Sequence, residues 1–265
     1  MEVGGGSPSR GGRPRTTAVP LAQGGYVVNG RKTFTTFAPL LQWFLVTASL
    51  EGTDEVVELL IPQDTEGVTV EETWSMVGMR GTASHDLVLA EAVVPEEALV
   101  SKVDKTVYSK PNPYLLHIPA CYLGIAVAAR DEAISFATLY IPASLSRPVI
   151  ETPHVERLLG EIELELTVAR QLLYSVAREW EGKYEASPPG FQNADLAAVK
   201  TFVVKTALTV VDKAMRIVGA HSLSLSHPLQ RMYRDVRFGL HNPPMEDVAI
   251  RQLAGRALQR WEASR

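Results

Sequence analysis

The chain has six histidines and one cysteine, and one histidine stands in a setting suited to chemistry. His241 opens the run His241-Asn242-Pro243-Pro244, shortly after Tyr233-Arg234-Asp235. An imidazole titrates near neutrality, so a His held in such a turn is suited to accept and return a proton. The competing reading is that His241 caps or packs the turn ahead of Pro243. Glu246 and Asp247 follow. A helix opening near Pro244 puts both in its first turn, where free N–H groups and the helix dipole favour carboxylates whatever the chemistry. In the first half, Phe34, Thr35 and Thr36 read as an aromatic and two hydroxyls on a strand. Arg80, Thr82 and Ser84 lie in Gly-Met-Arg-Gly-Thr-Ala-Ser. A guanidinium suits phosphate through its fork of donors, and it suits a carboxylate inside a β domain equally well. His117, His221 and His227 show no metal-ligand spacing. Neither a Gly-x-Gly-x-x-Gly fingerprint nor a P-loop is present.

The elements that must position these residues fall into two grammars. From Tyr26 to Val94 the chain reads as strands: Tyr26–Val28, then Asn29-Gly30 as a hairpin signal, then Arg31–Thr36 as the returning strand. Trp43–Ala48, Val56–Ile61, Val68–Glu72 and Leu87–Val94 follow, with Pro62 and Pro95 as stops. Close-spaced short strands predict an antiparallel barrel or sandwich. From about Leu116 the period becomes helical. Leu159, Ile162, Leu166, Ala169, Leu173, Val176 and Trp180 make one stripe, with Glu161, Glu163 and Glu165 on a solvated face. Asn193 is placed to cap a second helix with the stripe Leu196, Val199, Val203, Thr206, Val210, Ala214 and Ile217, which Gly219 ends. A last helix is expected from Pro244 toward Trp261. Cys121, beside Ile118 and Ile125, is expected in the core. Long helices with short connections predict an antiparallel four-helix bundle. The domains are expected at 1–108 and 109–265, joined by a linker containing Pro111 and Pro113.

A net charge of −4 over 265 residues argues against a general nucleic-acid binder. No apolar run reaches the length of a transmembrane helix, and the first fifteen residues lack the apolar core of a secretory signal. A lone cysteine fits a reducing compartment, so a cytoplasmic location is expected.

Three stretches resemble acyl-CoA dehydrogenases: GGYVVNGRKTFTT, LLIPQDTEGVTVEETWSMVGMRGTASHDLVLAEAVVPEE, and MYRD. The resemblance covers nearly the whole chain. It implies a β domain followed by a four-helix bundle, FAD, and a homotetramer or homodimer. It further implies that Phe34 lies against the flavin ring, where the family has Trp-x-Thr, and that Thr36 bonds the flavin near N5 and O4. Ser7, with Gly4 to Gly6, matches the end of a flavin-binding loop. Arg80 falls where the family links strands near the cofactor phosphates. Arg216 and Gly219 match a Gln-x-x-Gly-Gly loop, with Arg for Gln and Ala220 for the second Gly. There Arg216 either takes over a pyrophosphate contact or forms a surface salt bridge. An Arg-x-x-Phe-Gly motif is replaced near Tyr140.

The resemblance also sharpens the catalytic question. The family's Glu base stands eight residues past the Asp of the Tyr-Arg-Asp motif, and here that position is Pro243. The alternative base position falls near Tyr114, which is no acid. The His-Asn-Pro turn resembles the flavin monooxygenase branch of the same fold, where a His beside the flavin handles a proton during the reaction with oxygen. Three functions therefore stand. The first is FAD-dependent α,β-desaturation of an acyl-CoA, as in fatty acid metabolism, with electrons leaving to an electron-transfer flavoprotein. The second is a monooxygenase on a small hydrophobic substrate, using FAD or FMN supplied reduced by a flavin reductase. The third is a non-catalytic subunit that assembles with a full-length paralogue. The last follows from the family's N-terminal helical domain, which has no counterpart ahead of Met1. A truncated gene, a misplaced start and a fragment are the alternatives there.

Overall fold

Alternating residues that cannot all face water set the first half of the chain. In the computed structural model, which describes residues 13–103, 111–180 and 192–265, the chain divides into two compact units, Met1–Ser109 and Lys110–Arg265. The first holds seven strands: β1 (Thr17–Pro20), β2 (Tyr26–Thr35), β3 (Trp43–Leu50), β4 (Val56–Pro62), β5 (Val68–Glu71), β6 (His85–Val94) and β7 (Leu99–Lys102). They form one sheet in the order β5-β6-β2-β1-β3-β4-β7. Phe44, Val46 and Ala48 of β3 and Val57, Leu59 and Ile61 of β4 point inward, and meet Val28, Leu87 and Leu89 in one core. Each of the larger side chains here, Val, Leu, Ile and Phe, contributes about 1.5–3 kcal/mol of burial.

The sheet departs from a purely antiparallel one at a single pairing. β1 runs parallel to β3 over Thr17↔Ser49 and Ala18↔Leu50. The cause is that β1 is a short wedge between the far ends of β2 and β3, which otherwise run in opposite directions.

The expected hairpin at Asn29-Gly30 is corrected by the structure. Both residues lie inside the ten-residue β2, where the pairing with β6 shifts between Val28 and Gly30. Asn29 Oδ1 accepts from the Glu91 N–H at 2.7 Å, so the Asn anchors a bulge. Gly30 has φ +156°, and a Cβ there would lie 2.7 Å from Thr16 Cα. The dipeptide is thus selected by the close crossing of Thr16, not by a turn. The actual β1–β2 hairpin closes over Leu21–Gly25, with the Leu21 N–H donating to Gly25 O at 3.0 Å. Gly30→Ala is expected to destabilise the β unit by about 2–3 kcal/mol, as overpacking against backbone does. Urea unfolding checks this, and an unchanged midpoint would contradict it.

The second unit contains α1 (His117–Leu139), α2 (Pro153–Trp180), α3 (Asn193–Val218), the short α4 (Pro228–Val236) and α5 (Glu246–Ala263). The α3 stripe is buried in full as expected, and a second stripe, Ala197, Lys200, Val204, Ala207 and Val211, is buried beside it. α3 is therefore the central helix. The acids Glu161, Glu163 and Glu165 keep contact with solvent as expected, and they also tie helices together. Lys213 of α3 reaches Glu161 at 3.0 Å and Glu165 at 2.8 Å, while Glu163 pairs with Arg130 of α1 at 2.9 Å. Ion pairs Asp195–Arg256 and Lys205–Glu246 set α5 antiparallel to α3.

Three details are corrected. The cap of α3 is Gln192, in a capping box with Asp195, not Asn193. α5 starts at Glu246 after Met245, so Pro244 lies outside it. Cys121 is exposed, because on α1 the buried face is set by Tyr122, Leu123 and Ala126. No helix of the described residues is long and apolar enough to cross a membrane.

Candidate functional site

In the β unit, unusual backbone geometry concentrates in one place. Of the non-glycine residues with positive φ among the described residues, Phe34 (60°) and Phe37 (56°) flank Thr35-Thr36, while Met79 (48°) and Ala83 (40°) flank the 3-10 turn Arg80–Thr82. Left-handed backbone costs such residues energy and persists where the surroundings enforce it, most often at functional sites. Here two segments enforce it on each other. The Phe37 N–H donates to Thr82 O at 2.8 Å. The Thr36 and Ser84 hydroxyls share a hydrogen bond at 3.1 Å, and Thr82 joins Ser84 at 2.8 Å. Trp74 braces the pair: its indole N–H donates to Met79 O at 3.0 Å, and its ring meets Phe34 edge-on at 5.6 Å.

This patch presents an aromatic ring, hydroxyls and a cation together. Phe34 is 45 % exposed although large and apolar. Arg80 is exposed and has no ion pair among the described residues. The expectation that a carboxylate within the β unit claims Arg80 is not met. Asp86 and Glu71 both go to Arg31, at 2.7 and 2.5 Å. Ser7 lies outside the described residues.

In the helical unit, His241 follows α4 on the 3-10 turn Arg237–Leu240. Its backbone is fixed from several sides. Its N–H donates to Phe238 O at 3.0 Å. Asn242 Oδ1 accepts from the Tyr122 hydroxyl of α1 at 2.6 Å. Gly239 sits so close to the helices that a Cβ would lie 2.8 Å from Val204 Cγ1 and 3.2 Å from the Tyr122 ring. Tyr122 is only 5 % exposed, and burial pushes its hydroxyl well above the ordinary tyrosine range. The His241 side chain is exposed and makes no hydrogen bond, ion pair or ring contact among the described residues. It therefore does not pack the turn. Glu246 is held by Lys205 in the first turn of α5, the structural role that a helix start favours. Tyr114 is exposed and edge-on to His117.

Arg216 lies in an exposed pair with Asp212 at 2.9 Å, so of its two readings the surface salt bridge is the one observed. Gly219 terminates α3 at φ 67°. Tyr140 stacks on Phe136 at 4.9 Å and meets His221 edge-on at 5.4 Å. Among the described residues no group of three or more His, Cys, Asp or Glu is arranged to hold a metal.

Residues 2–92 match the model for the acyl-CoA dehydrogenase middle domain, and residues 116–242 match that for the acyl-CoA dehydrogenase C-terminal domain. The chain belongs to the acyl-CoA dehydrogenase family. YdbM of Bacillus subtilis (strain 168), named for the same family, is 50 % identical over 254 residues, which cover 96 % of this chain and 66 % of YdbM. The FMN-bound structure of TdsC from Paenibacillus sp. A11-2 matches with a TM-score of 0.82 at 26 % identity, covering 93 % of this chain and 67 % of TdsC. An FAD complex of an acyl-CoA dehydrogenase from Bacillus anthracis shares the fold, with a TM-score of 0.82 at 19 % identity over 94 % of this chain and 45 % of that one. The chain thus spans 66 % of YdbM, and 56 and 60 % of the next two curated relatives it matches.

Against the family pattern of this acyl-CoA dehydrogenase relative, the structure adds residues that sequence reasoning passed over. Tyr122, Gly239 and Trp74 act through contacts far apart in sequence. Lys200 did leave a signal, a cation at helical spacing between Leu196 and Val204. It is 2 % exposed and has no ion-pair or hydrogen-bond partner among the described residues. Burial lowers its pKa below the ordinary 10.5, and Glu246 partly opposes this. The unfolded chain then binds more protons than the folded one between the lowered pKa and 10.5, so this group's contribution to stability rises with pH through that window. Below the window the burial penalty is complete. Lys200→Met is expected to stabilise the fold near pH 7, by a margin that shrinks toward about pH 10. Denaturant midpoints at both pH values check this, and a pH-independent margin would contradict it.

Proposed function

We propose that this protein is a flavin-dependent oxidoreductase in which the β unit holds the flavin and His241 handles the proton. The observation that carries this reading is the mount of His241: a fixed backbone and an uncommitted imidazole, two residues before Pro243, in the turn where the family resemblance implies a carboxylate base.

The residues of the β unit fit a flavin. Phe34 offers an exposed aromatic wall. Thr36 retains hydrogen-bonding capacity beyond its bond to Ser84, suited to the polar edge of a flavin ring. Arg80 supplies a guanidinium free to meet phosphate. Ser7 remains a proposed contact by resemblance. Arg216, committed to Asp212, offers less to a pyrophosphate, and Gly219 contributes a backbone turn. A bound flavin supplies a two-electron acceptor.

In the first reading the substrate is an acyl-CoA thioester. There a His241 ring nitrogen would accept the α-proton, and a flavin held by Phe34, Thr36 and Arg80 would supply the acceptor for the two electrons and the β-hydrogen as the carbon–carbon double bond forms. The electrons then pass to an electron-transfer flavoprotein, and a homo-oligomer is the expected assembly. The second reading, a monooxygenase fed with reduced flavin, is favoured by the His-Asn-Pro turn and by the FMN bound in TdsC. The two separate in one experiment on the flavin-loaded protein. Anaerobic bleaching by saturated acyl-CoA thioesters supports the first. Oxygen uptake by the pre-reduced protein, quickened by a small aromatic substrate, supports the second. A protein that holds flavin and does neither contradicts both.

A further inference from the structure

We propose that Tyr122 is a positioning residue for His241, acting through a latch to Asn242 that fixes where the imidazole is presented. The inference rests on the reading of His241 given above and adds the means by which α1 controls it.

The six histidines differ in what their rings touch. His85 Nδ1 accepts the Trp74 N–H at 3.1 Å. His227 Nδ1 accepts the Leu229 N–H at 3.3 Å, capping α4. His221 packs on Phe136 and Tyr140, and His117 meets Tyr114. These four rings are used by the fold. His154 and His241 have no side-chain contact of this kind among the described residues. His154 simply projects from the first turn of α2. Only His241 joins a free ring to a backbone pinned on both sides: by Gly239, seated against Val204 and Tyr122, and by the bond from Tyr122 to Asn242.

One side chain, Tyr122, takes part in both restraints, with Val204 beside it at Gly239. Its ring lies against Gly239 and its hydroxyl holds Asn242, so the four-residue span Gly239–Asn242 carrying His241 is tied at both ends to one residue of a long helix. Tyr122 is buried and Asn242 half-buried, so breaking the bond leaves the tyrosine hydroxyl without water or partner, which is costly. The turn therefore cannot drift without losing it. Side chains that deliver a proton need sub-ångström placement, and rigid second contacts supply it.

The test uses Tyr122→Phe, which keeps the ring against Gly239 and removes only the hydroxyl, with Asn242→Ala as a second cut from the other side. In the full-length protein with 13C-labelled histidine, the His241 resonances are assigned by their loss in His241→Ala. In both latch variants these resonances alone are expected to move toward the values of an unstructured histidine, while the other five stay in place. In the flavin-loaded protein, with saturated straight-chain acyl-CoA thioesters or air oxygen as the probe, kcat is expected to fall roughly tenfold or more with KM little changed. The double variant Tyr122→Phe/His241→Ala should be no slower than His241→Ala, because Tyr122 acts only through His241. Unshifted His241 resonances, or losses that add in the double variant, would overturn the latch. Full turnover in His241→Ala would overturn the role of His241 itself and the catalytic meaning of the latch with it. That failure is distinct, because the resonance shift would then occur without any change in rate.

Discussion

His241→Ala is expected to slow turnover by about 10²- to 10⁴-fold, the range over which a positioned general acid or base contributes. The fold should survive the change. The side chain is exposed and makes no contact among the described residues, so its loss opens no cavity and strands no buried partner. The effect should fall on kcat more than on KM, since a group that moves a proton contributes in the transition state and little to ground-state binding. Steady-state kinetics on the flavin-loaded protein, with a melting curve as control, measures it. A rate within twofold of the parent would remove His241 from the mechanism.

The second large effect concerns the cofactor. Phe34→Ala with Thr36→Ala removes the exposed ring and one hydroxyl of the row Thr36, Ser84 and Thr82. An aromatic contact adds about 0.5–1.5 kcal/mol beyond the area it buries, and a hydrogen bond about 0.5–1.5 kcal/mol. With the lost ring area, the sum is about 3 kcal/mol, or roughly a hundredfold in flavin affinity. Equilibrium dialysis or fluorescence quenching of the flavin reads this directly. Neither side chain belongs to the sheet core: Phe34 and Thr36 are both exposed. Unaltered affinity would mean that the flavin, if bound, is held elsewhere than against this patch.

The course from strands to helices was legible in the sequence because each rests on local periodicity. The α3 stripe from Leu196 to Ile217 is buried throughout, and Val68 and Val70 of β5 share the less exposed face while Thr69 and Glu71 share the other. What was misread depends on neighbours distant in the chain. Asn29-Gly30 carries a turn signal, yet Thr16 crosses at that point and uses the glycine for a bulge. Cys121 lies in an apolar run, but on a helix its neighbours Tyr122 and Leu123 take the buried face. Glu161, Glu163 and Glu165 do stay solvent-accessible, but their partners on α1 and α3 could not be read from local pattern.

The candidate site divides in the same way. His241 was legible from its residue type and the prolines after it. Its mount was not, because Tyr122 and Asn242 are 120 positions apart. The patch around Thr36 was found through resemblance. What distinguishes it physically is the run of left-handed residues at Phe34, Phe37, Met79 and Ala83, and no propensity argument places four of those on non-glycine positions.

Flavin binding by this chain is read from the visible absorption spectrum of the purified protein, alone and after incubation with excess FAD or FMN followed by desalting. Flavin absorption bands are expected to stay with the protein and to weaken in the Phe34→Ala/Thr36→Ala variant. A folded protein that emerges colourless from both incubations would contradict flavin binding.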